Sequence, residues 1–202
     1  YPGVSTGQTW QRIYPYGALA AHVLGYVGKI NGDELTKQPV DLRYEGGDLI
    51  GKAGAELSFE RVLRGVPGEE RILKDRLQRV VSRTVLRQPV PGKDVRLTID
   101  IDVQRQVERS LAQGLLAARQ NVFADRPNEF LKAHSGAMVV LDPRNGQVLA
   151  MASQPTYDPR EFIPAITPQR YEELFSGEDK HSPLTNRAIT GQYPPGSTFK
   201  LF

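Results

Sequence analysis

Near the C-terminal end of the 202 residues, the chain reads Pro194-Pro195-Gly196-Ser197-Thr198-Phe199-Lys200. Two prolines cannot continue a helix, but a helix can begin directly after them. Ser197 then lies at the N-terminus of a helix, and Lys200 lies on the same face, within reach of the serine hydroxyl. A serine nucleophile needs an adjacent base, and a lysine can serve when burial keeps it neutral. Ser197 is therefore the candidate nucleophile and Lys200 the candidate general base.

Taken alone, this pattern fits equally well a serine that caps a helix and a lysine that points into solvent. The motifs before it decide between the two interpretations, because they form four blocks in a fixed order along the chain. The blocks are Arg12–Gly17 with Ala21–Gly28; Gly51–Glu56 with Phe59-Glu60, Leu63-Arg64-Gly65 and Gly68; Pro91–Val95 with Leu97–Asp100 and Gln104; and Gly136–Ser153 with Pro155–Pro159, Asn186-Arg187-Ala188 and Tyr193–Ser197.

The ordered blocks resemble class B penicillin-binding proteins, and among them the elongation-type penicillin-binding protein 2 group. The pattern S-x-x-K is itself a known motif of β-lactamases and penicillin-binding proteins. The resemblance implies an α+β fold in two parts. Residues 1–92 form a pedestal, a non-catalytic domain of the dimerisation type made of short strands and helices. Residues 93–202 form the beginning of a serine β-lactamase-like transpeptidase domain, and the Pro89–Gly92 turn marks the boundary.

The resemblance also implies an activity, peptidoglycan D,D-transpeptidation. Ser197 attacks the penultimate D-alanine carbonyl of a stem peptide, Lys200 is its base, and β-lactams acylate Ser197. Stem peptides and β-lactams are the implied ligands, with no cofactor. We expect a single-pass anchor upstream of Tyr1, with the catalytic part on the outer face of the cytoplasmic membrane.

Two departures from the family pattern stand out. Ala55 replaces a bulkier aliphatic residue before Glu56. The 202 residues also contain neither S-x-N nor K-T/S-G, the family's second and third catalytic motifs. Such motifs position the substrate and stabilise the oxyanion. We therefore expect this polypeptide by itself to be inactive and unlabelled by a fluorescent penicillin.

Two other functions stay open. A class D β-lactamase or a related sensor also uses Ser-Thr-Phe-Lys, although some 90 preceding residues argue against it. Alternatively, the pedestal is an interaction module that binds a membrane-embedded glycan polymerase. Its binding surface would then be the glycine-rich start and the basic stretch Arg61–Arg96, which holds ten basic and four acidic residues. That stretch is otherwise a solvated surface.

The remaining charged residues indicate structural roles. A net charge of +3 is too small to indicate a nucleic-acid binder in the absence of a concentrated basic patch, and we predict no nucleic-acid partner. Arg12 and Glu56 are expected to pair or to cap backbone groups, and His22 to lie as a cation at a helix C-terminus near Gly25. The three histidines (His22, His134 and His181) lack ligand spacing and there is no cysteine, so we predict no metal site.

Periodicity and turn residues predict the following elements. The first is a helix over Ser58–Arg64, with Ser58 as its N-cap and Gly65 as its stop, followed by strands over Val80–Leu86 and Val95–Ile99. A second helix begins at Asp100 or Asp102 and carries Val103, Val107, Leu111 and Leu115 on one face. After it come a loop over 120–135, a hairpin of Ala137–Leu141 and Val148–Met151 around Asp142–Gly146, and loops with short helices over 154–195.

Overall fold

The computed structural model describes residues 11–123, 126–163, 165–176 and 182–193. Its first part consists of short elements. They are α1 (Ala21–Leu24), β1 (Val27–Lys29), α2 (Gly32–Lys37), a 3-10 turn (Val40–Leu42), β2 (Leu49–Gly51), α3 (Gly54–Ser58), α4 (Glu60–Leu63), β3 (Glu69–Lys74) and β4 (Val80–Arg87).

The second part begins with the longest described helix. Its elements are α5 (Ile101–Ala118), β5 (Val122–Phe123), β6 (Arg126–Phe130), β7 (Gly136–Leu141), β8 (Val148–Gln154), a 3-10 turn (Pro159–Phe162), α6 (Pro168–Ser176) and α7 (Arg187–Thr190). The described strands pair as four antiparallel two-stranded sheets: β1–β2, β3–β4, β5–β6 and β7–β8. The α+β class is confirmed.

The predicted helix and hairpin of the second part are both present, and they pack on each other. Asp100 is the N-cap of α5, since its carboxylate accepts hydrogen bonds from the first backbone N–H groups of the helix. Val107 and Leu111 on α5 bury themselves against Ala150 and Ala152 on β8. The apolar stripe read from the sequence is therefore the face that forms this core.

A buried glutamine ties α5 to β8. The Gln104 side chain is fully buried, and its amide donates to the Met151 carbonyl at 2.9 Å while its Oε1 accepts from the Met151 N–H at 2.8 Å. The side chain thus takes the place of a neighbouring strand at that position. A polar residue on the core face is satisfied by backbone groups that would otherwise lack partners.

The predicted cap of the Ser58 helix is wrong. Ser58 ends α3, and a separate helix, α4, begins after Phe59, whose backbone angles (φ −110°, ψ 18°) are not helical. The predicted stop at Gly65 is confirmed. Gly65 has φ +72°, and a Cβ there would lie 2.4 Å from the Val90 carbonyl oxygen.

The structure also differs from the sequence predictions at three other places. Residues 95–99 form no strand; the Thr98 hydroxyl and the Asp100 N–H instead donate to the carbonyls of Val148 and Leu149, without a ladder. The stretch 120–135, expected as a loop, contains β5 and β6. Strand β4 was predicted, but its partner β3 was not, because Glu69–Lys74 is charged and exposed on both faces.

The main aromatic core joins residues from both sides of the predicted boundary. The rings of Tyr26 and Phe162 stack with centroids 3.7 Å apart, and the Tyr157 hydroxyl donates to the Ala21 carbonyl at 3.0 Å. Leu174 of α6 completes the buried cluster. The boundary at residue 92 stays a prediction, but residues 21–26 share their core with residues 157–174.

Candidate functional site

The predicted nucleophile and base, Ser197 and Lys200, lie outside the described residues. The described chain reaches Tyr193, four positions before the serine. The structure does describe the segment that precedes Ser197 in the sequence, from Ser182 to Gly191. We call this segment the 182–191 corner.

A buried arginine forms hydrogen bonds with backbone groups within the corner. Arg187 is 9% exposed, and its guanidinium donates to the carbonyls of Ser182 at 2.9 Å and Thr185 at 3.4 Å. Hydrogen bonds from a charged donor are stronger than neutral ones. The Gly191 N–H also donates to the Arg187 carbonyl, so the corner is closed by its own groups.

The end of β8 holds the corner from one side. The Ser153 hydroxyl, which is 2% exposed, donates to the Asn186 Oδ1 at 3.2 Å and accepts from the Ala188 N–H at 3.2 Å. The hydroxyl therefore acts both as a donor and as an acceptor, and its two hydrogen bonds hold the start of α7 against β8.

Helix α1 of the pedestal holds the corner from the other side. The His22 Nε2 lies 2.7 Å from the Pro183 carbonyl oxygen, and the Asn186 amide donates to the His22 carbonyl at 3.2 Å. A carbonyl oxygen only accepts, so the Nε2 of His22 carries the proton. The imidazole and the Tyr157 ring also form a T-shaped pair with centroids 5.1 Å apart.

The expected position of His22 at the end of a helix near Gly25 is confirmed, but its expected role there as a cation is wrong. Burial lowers the pKa of His22 below its usual 6.5, and the nearby positive charge of Arg187 acts in the same direction. The imidazole is therefore a neutral donor to a carbonyl 161 residues away in the sequence.

The expected pairing of Arg12 with Glu56 is confirmed. The Arg12 Nε lies 2.9 Å from one Glu56 oxygen, and its Nη2 lies 3.0 Å from the other. Tyr14 also touches this carboxylate at 3.5 Å and accepts from the Val27 N–H. Burial raises the pKa of Glu56. This carboxylate links the start of the described chain to α3.

The described residues hold no group of three or more His, Cys, Asp or Glu side chains that could bind a metal. His22 and His134 lie within the described ranges, whereas His181 lies outside them. None of the helices in the described ranges is long and apolar enough to cross a membrane.

Sequence reasoning missed two features, one in the 182–191 corner and one in the pedestal. Ser153 and Asn186 belong to quoted motifs, but nothing in their spacing indicates that they meet each other and His22. A cleft of about 870 Å³ lies farther away in the pedestal, beside the base of the β3–β4 hairpin, and Leu49, Leu63 and Val90 are among its lining residues.

Two family models match the chain in order. The penicillin-binding protein dimerisation domain matches residues 1–97, and the penicillin-binding protein transpeptidase domain matches residues 136–202. The second match includes the positions of Ser197 and Lys200.

Curated relatives align over almost the whole chain. Peptidoglycan D,D-transpeptidase MrdA of Acinetobacter baumannii is 38% identical over 200 residues, and MrdA of Escherichia coli K12 is 36% identical over 205 residues. These alignments cover 99% and 100% of this chain. The chain spans only 26% and 29% of those relatives' own lengths.

Two solved structures also align with most of the chain. Penicillin-binding protein 2 (PBP2) of Pseudomonas aeruginosa, in complex with WCK 5153, has a TM-score of 0.63 at 35% identity and covers 92% of this chain. PBP2 of Helicobacter pylori, in a complex with MreC, has a TM-score of 0.64 at 28% identity and the same coverage. The chain covers 32% and 30% of these two proteins.

Proposed function

Because this chain belongs to the penicillin-binding proteins that join a dimerisation domain to a transpeptidase domain, we propose that the full-length protein is a peptidoglycan D,D-transpeptidase of the elongation type. One observation carries the proposal. The transpeptidase match follows the dimerisation match in the chain, and it includes Ser197-Thr198-Phe199-Lys200. The β-lactamase alternative is not favoured, because residues 1–97 match a dimerisation domain.

In the proposed reaction, Ser197 forms an ester with the stem peptide. The neutral Lys200 amine takes the Ser197 hydroxyl proton while Oγ attacks the penultimate D-alanine carbonyl carbon. The bond to the terminal D-alanine nitrogen breaks, and that nitrogen leaves with the proton. The amine of a second stem peptide then attacks the ester carbonyl, forms the crosslinking amide and returns a proton to Ser197.

A β-lactam reacts with Ser197 by the same first step, acylation. Attack by Ser197 opens the ring amide, but the leaving nitrogen stays attached to the acyl group. The ester therefore persists and blocks the site. A crosslinking enzyme must also meet its stem peptides outside the cytoplasm, so we place the full-length protein at the outer face of the cytoplasmic membrane.

Labelling by a fluorescent penicillin tests this function in the full-length protein. The Ser197→Ala variant should lose labelling completely, and Lys200→Met should slow acylation by about 10²- to 10⁴-fold, as expected for loss of a general base. Ser58→Ala, at an exposed serine on α3, is the matched control and should label normally. Labelling that survives in Ser197→Ala would refute the assignment.

The β3–β4 hairpin supports a second role for the pedestal, as an interaction module. Residues 69–87 contain six basic and three acidic residues, a difference equal to the net charge of +3 of the whole chain. The hairpin is exposed on both faces. Its exposed apolar residues are Ile72, Leu73, Leu77, Val80, Val81, Val85 and Leu86.

A two-stranded hairpin is marginally stable without further packing, so this one fits a partner that covers it. Its acidic residues are already paired: Glu69 with Arg87, Glu70 with Arg83, and Asp75 with Arg79. The basic excess therefore calls for an acidic surface on the partner. We propose that this partner is the membrane-embedded glycan polymerase of the elongation machinery.

Charge reversal tests this surface. Reversing Arg71, Lys74 and Arg76, which take part in no described ion pair, should weaken capture of the polymerase by the full-length protein at least tenfold. Reversing Arg109, Arg119 and Lys132, exposed on and after α5, is the matched control and should leave capture unchanged. Equal loss in both variants would contradict the proposal, as would a hairpin variant that keeps the polymerase but loses an MreC-type protein.

A further inference from the structure

Helix α1 and the 182–191 corner are joined in both directions by hydrogen bonds between His22, Pro183 and Asn186. We propose that His22 and Asn186 are positioning residues that set the angle at which the chain approaches Ser197. This inference rests on the proposed function, because it assumes that Ser197 is the nucleophile.

The two bonds form a reciprocal clamp. The His22 side chain donates to the backbone of the corner, and the Asn186 side chain donates back to the backbone of α1. The carbonyl that Asn186 reaches is near the end of α1, where helical carbonyls lack intrahelical partners. Each side chain therefore satisfies a backbone group of the other segment, and moving either segment alone breaks a part-buried hydrogen bond.

The clamp acts on a corner that is already closed. Arg187 donates to two carbonyls inside the corner, and Ser153 holds its middle to β8. Gly191 has no room for a side chain, because a Cβ there would lie 2.5 Å from the Arg187 carbonyl oxygen. A shift at Pro183 or Asn186 therefore moves the described corner as one piece, and in the sequence Ser197 lies six residues beyond Gly191.

A small displacement of a nucleophile costs much of its rate, because the reaction depends on near-attack geometry. The effect should appear in the acylation rate constant rather than in the initial binding of the penicillin. A residue that only stabilises the fold would change neither constant in the surviving folded molecules. A change in the acylation rate constant without a change in the penicillin dissociation constant therefore distinguishes a positioning role from a role in general stability.

The chain offers a matched control on the same helix. The Tyr157 hydroxyl donates to the Ala21 carbonyl, one residue before His22, but Tyr157 lies on the segment after β8 and not in the corner. Tyr157→Phe removes a bond of the same kind from the same core and keeps the ring that packs against His22, so both hydrogen bonds of the clamp remain.

Stopped-flow acylation of the full-length protein by a fluorescent penicillin tests the inference. His22→Phe keeps an aromatic ring and removes the donor. It should lower the acylation rate constant about tenfold, the effect of roughly one lost hydrogen bond, while the penicillin dissociation constant changes by less than about twofold. His22→Gln, which restores a donor, should recover most of the rate, and Tyr157→Phe should acylate normally.

Asn186→Asp gives an independent arm, because it keeps an acceptor for Ser153 and removes the amide donor to His22. It should slow acylation to the same extent as His22→Phe. Normal acylation in Asn186→Asp overturns the inference even if His22→Phe fails to fold. Equal slowing by Tyr157→Phe also overturns it. Labelling that persists in Ser197→Ala, in contrast, overturns the proposed function itself.

Discussion

His22 and Glu56 are buried titratable side chains on the pedestal side of the molecule, and burial shifts their pKa values in opposite directions. The pKa of His22 is lowered, whereas that of Glu56 is raised. In both cases the neutral form is favoured, since burial penalises charge. Each shift makes folding stability depend on pH, with a different sign.

His22 should make the protein less stable in acid. Its folded pKa lies below the usual 6.5, so the unfolded chain binds a proton that the folded one excludes. Stability from this group is full above pH 6.5 and falls as the pH drops through 6.5 toward the folded pKa. The urea midpoint of His22→Gln should therefore fall less than that of the wild type between pH 7.5 and 5.5.

Gln113→Ala, at an exposed position of α5 that carries no titratable group, is the control for that measurement and should keep the wild-type dependence of the urea midpoint on pH. If the urea midpoint of His22→Gln depends on pH as strongly as that of the wild type, His22 is not a buried neutral donor.

Arg12 should matter most where Glu56 is ionised. Arg12→Leu leaves a buried carboxylate without its cation and should destabilise the protein at pH 7 by about 2 kcal/mol, less than a fully buried pair because Arg12 is partly exposed. The cost should shrink at pH 5, since a Glu56 pKa that is already raised lets the group become protonated. Urea unfolding at both pH values checks this, and an equal loss at both would refute it.

At the scale of elements, α5 and β8 depend on Gln104. Gln104→Leu would leave the Met151 N–H and carbonyl unpaired in the core and should destabilise the protein by about 2–3 kcal/mol. Gln106→Leu, on the exposed side of the same helix, should cost less than about 0.5 kcal/mol. Equal effects of the two substitutions in chemical denaturation would show that the amide bonds do not hold β8.

Some elements could be predicted because their signals are local. Helix α5 carries its apolar residues every four positions after the N-cap Asp100, and the β7–β8 hairpin has Asn145-Gly146 at its turn. Strand β5 has only two residues and β3 is exposed on both faces, so neither has an alternating pattern to detect.

The candidate site was predictable only in part. Ser197 and Lys200 follow from a motif of adjacent residues, and they stay a prediction. The clamp could not be predicted, because its bonds run from side chains to backbone carbonyls 161 and 164 residues away. A carbonyl is present at every position, so the sequence does not mark which one a side chain will reach.

At the scale of the whole molecule, the shared aromatic core couples the pedestal to the transpeptidase part. Tyr26→Ala removes the ring that stacks on Phe162 and should increase hydrogen exchange in residues 157–162 as well as in 20–30. Tyr44→Ala, a pedestal tyrosine that contacts Arg64 instead, should leave residues 157–162 unchanged. Exchange confined to residues 20–30 in Tyr26→Ala would mean that the two parts are stable independently.

We propose Ser197 as the nucleophile that a penicillin acylates in the full-length transpeptidase. Peptide mapping by mass spectrometry of the full-length protein, after treatment with a penicillin, tests this proposal most directly. We predict one penicillin per protein molecule, attached to the peptide that contains Ser197, with no adduct in Ser197→Ala. An adduct at another residue, or no adduct on the wild-type protein, would contradict the account.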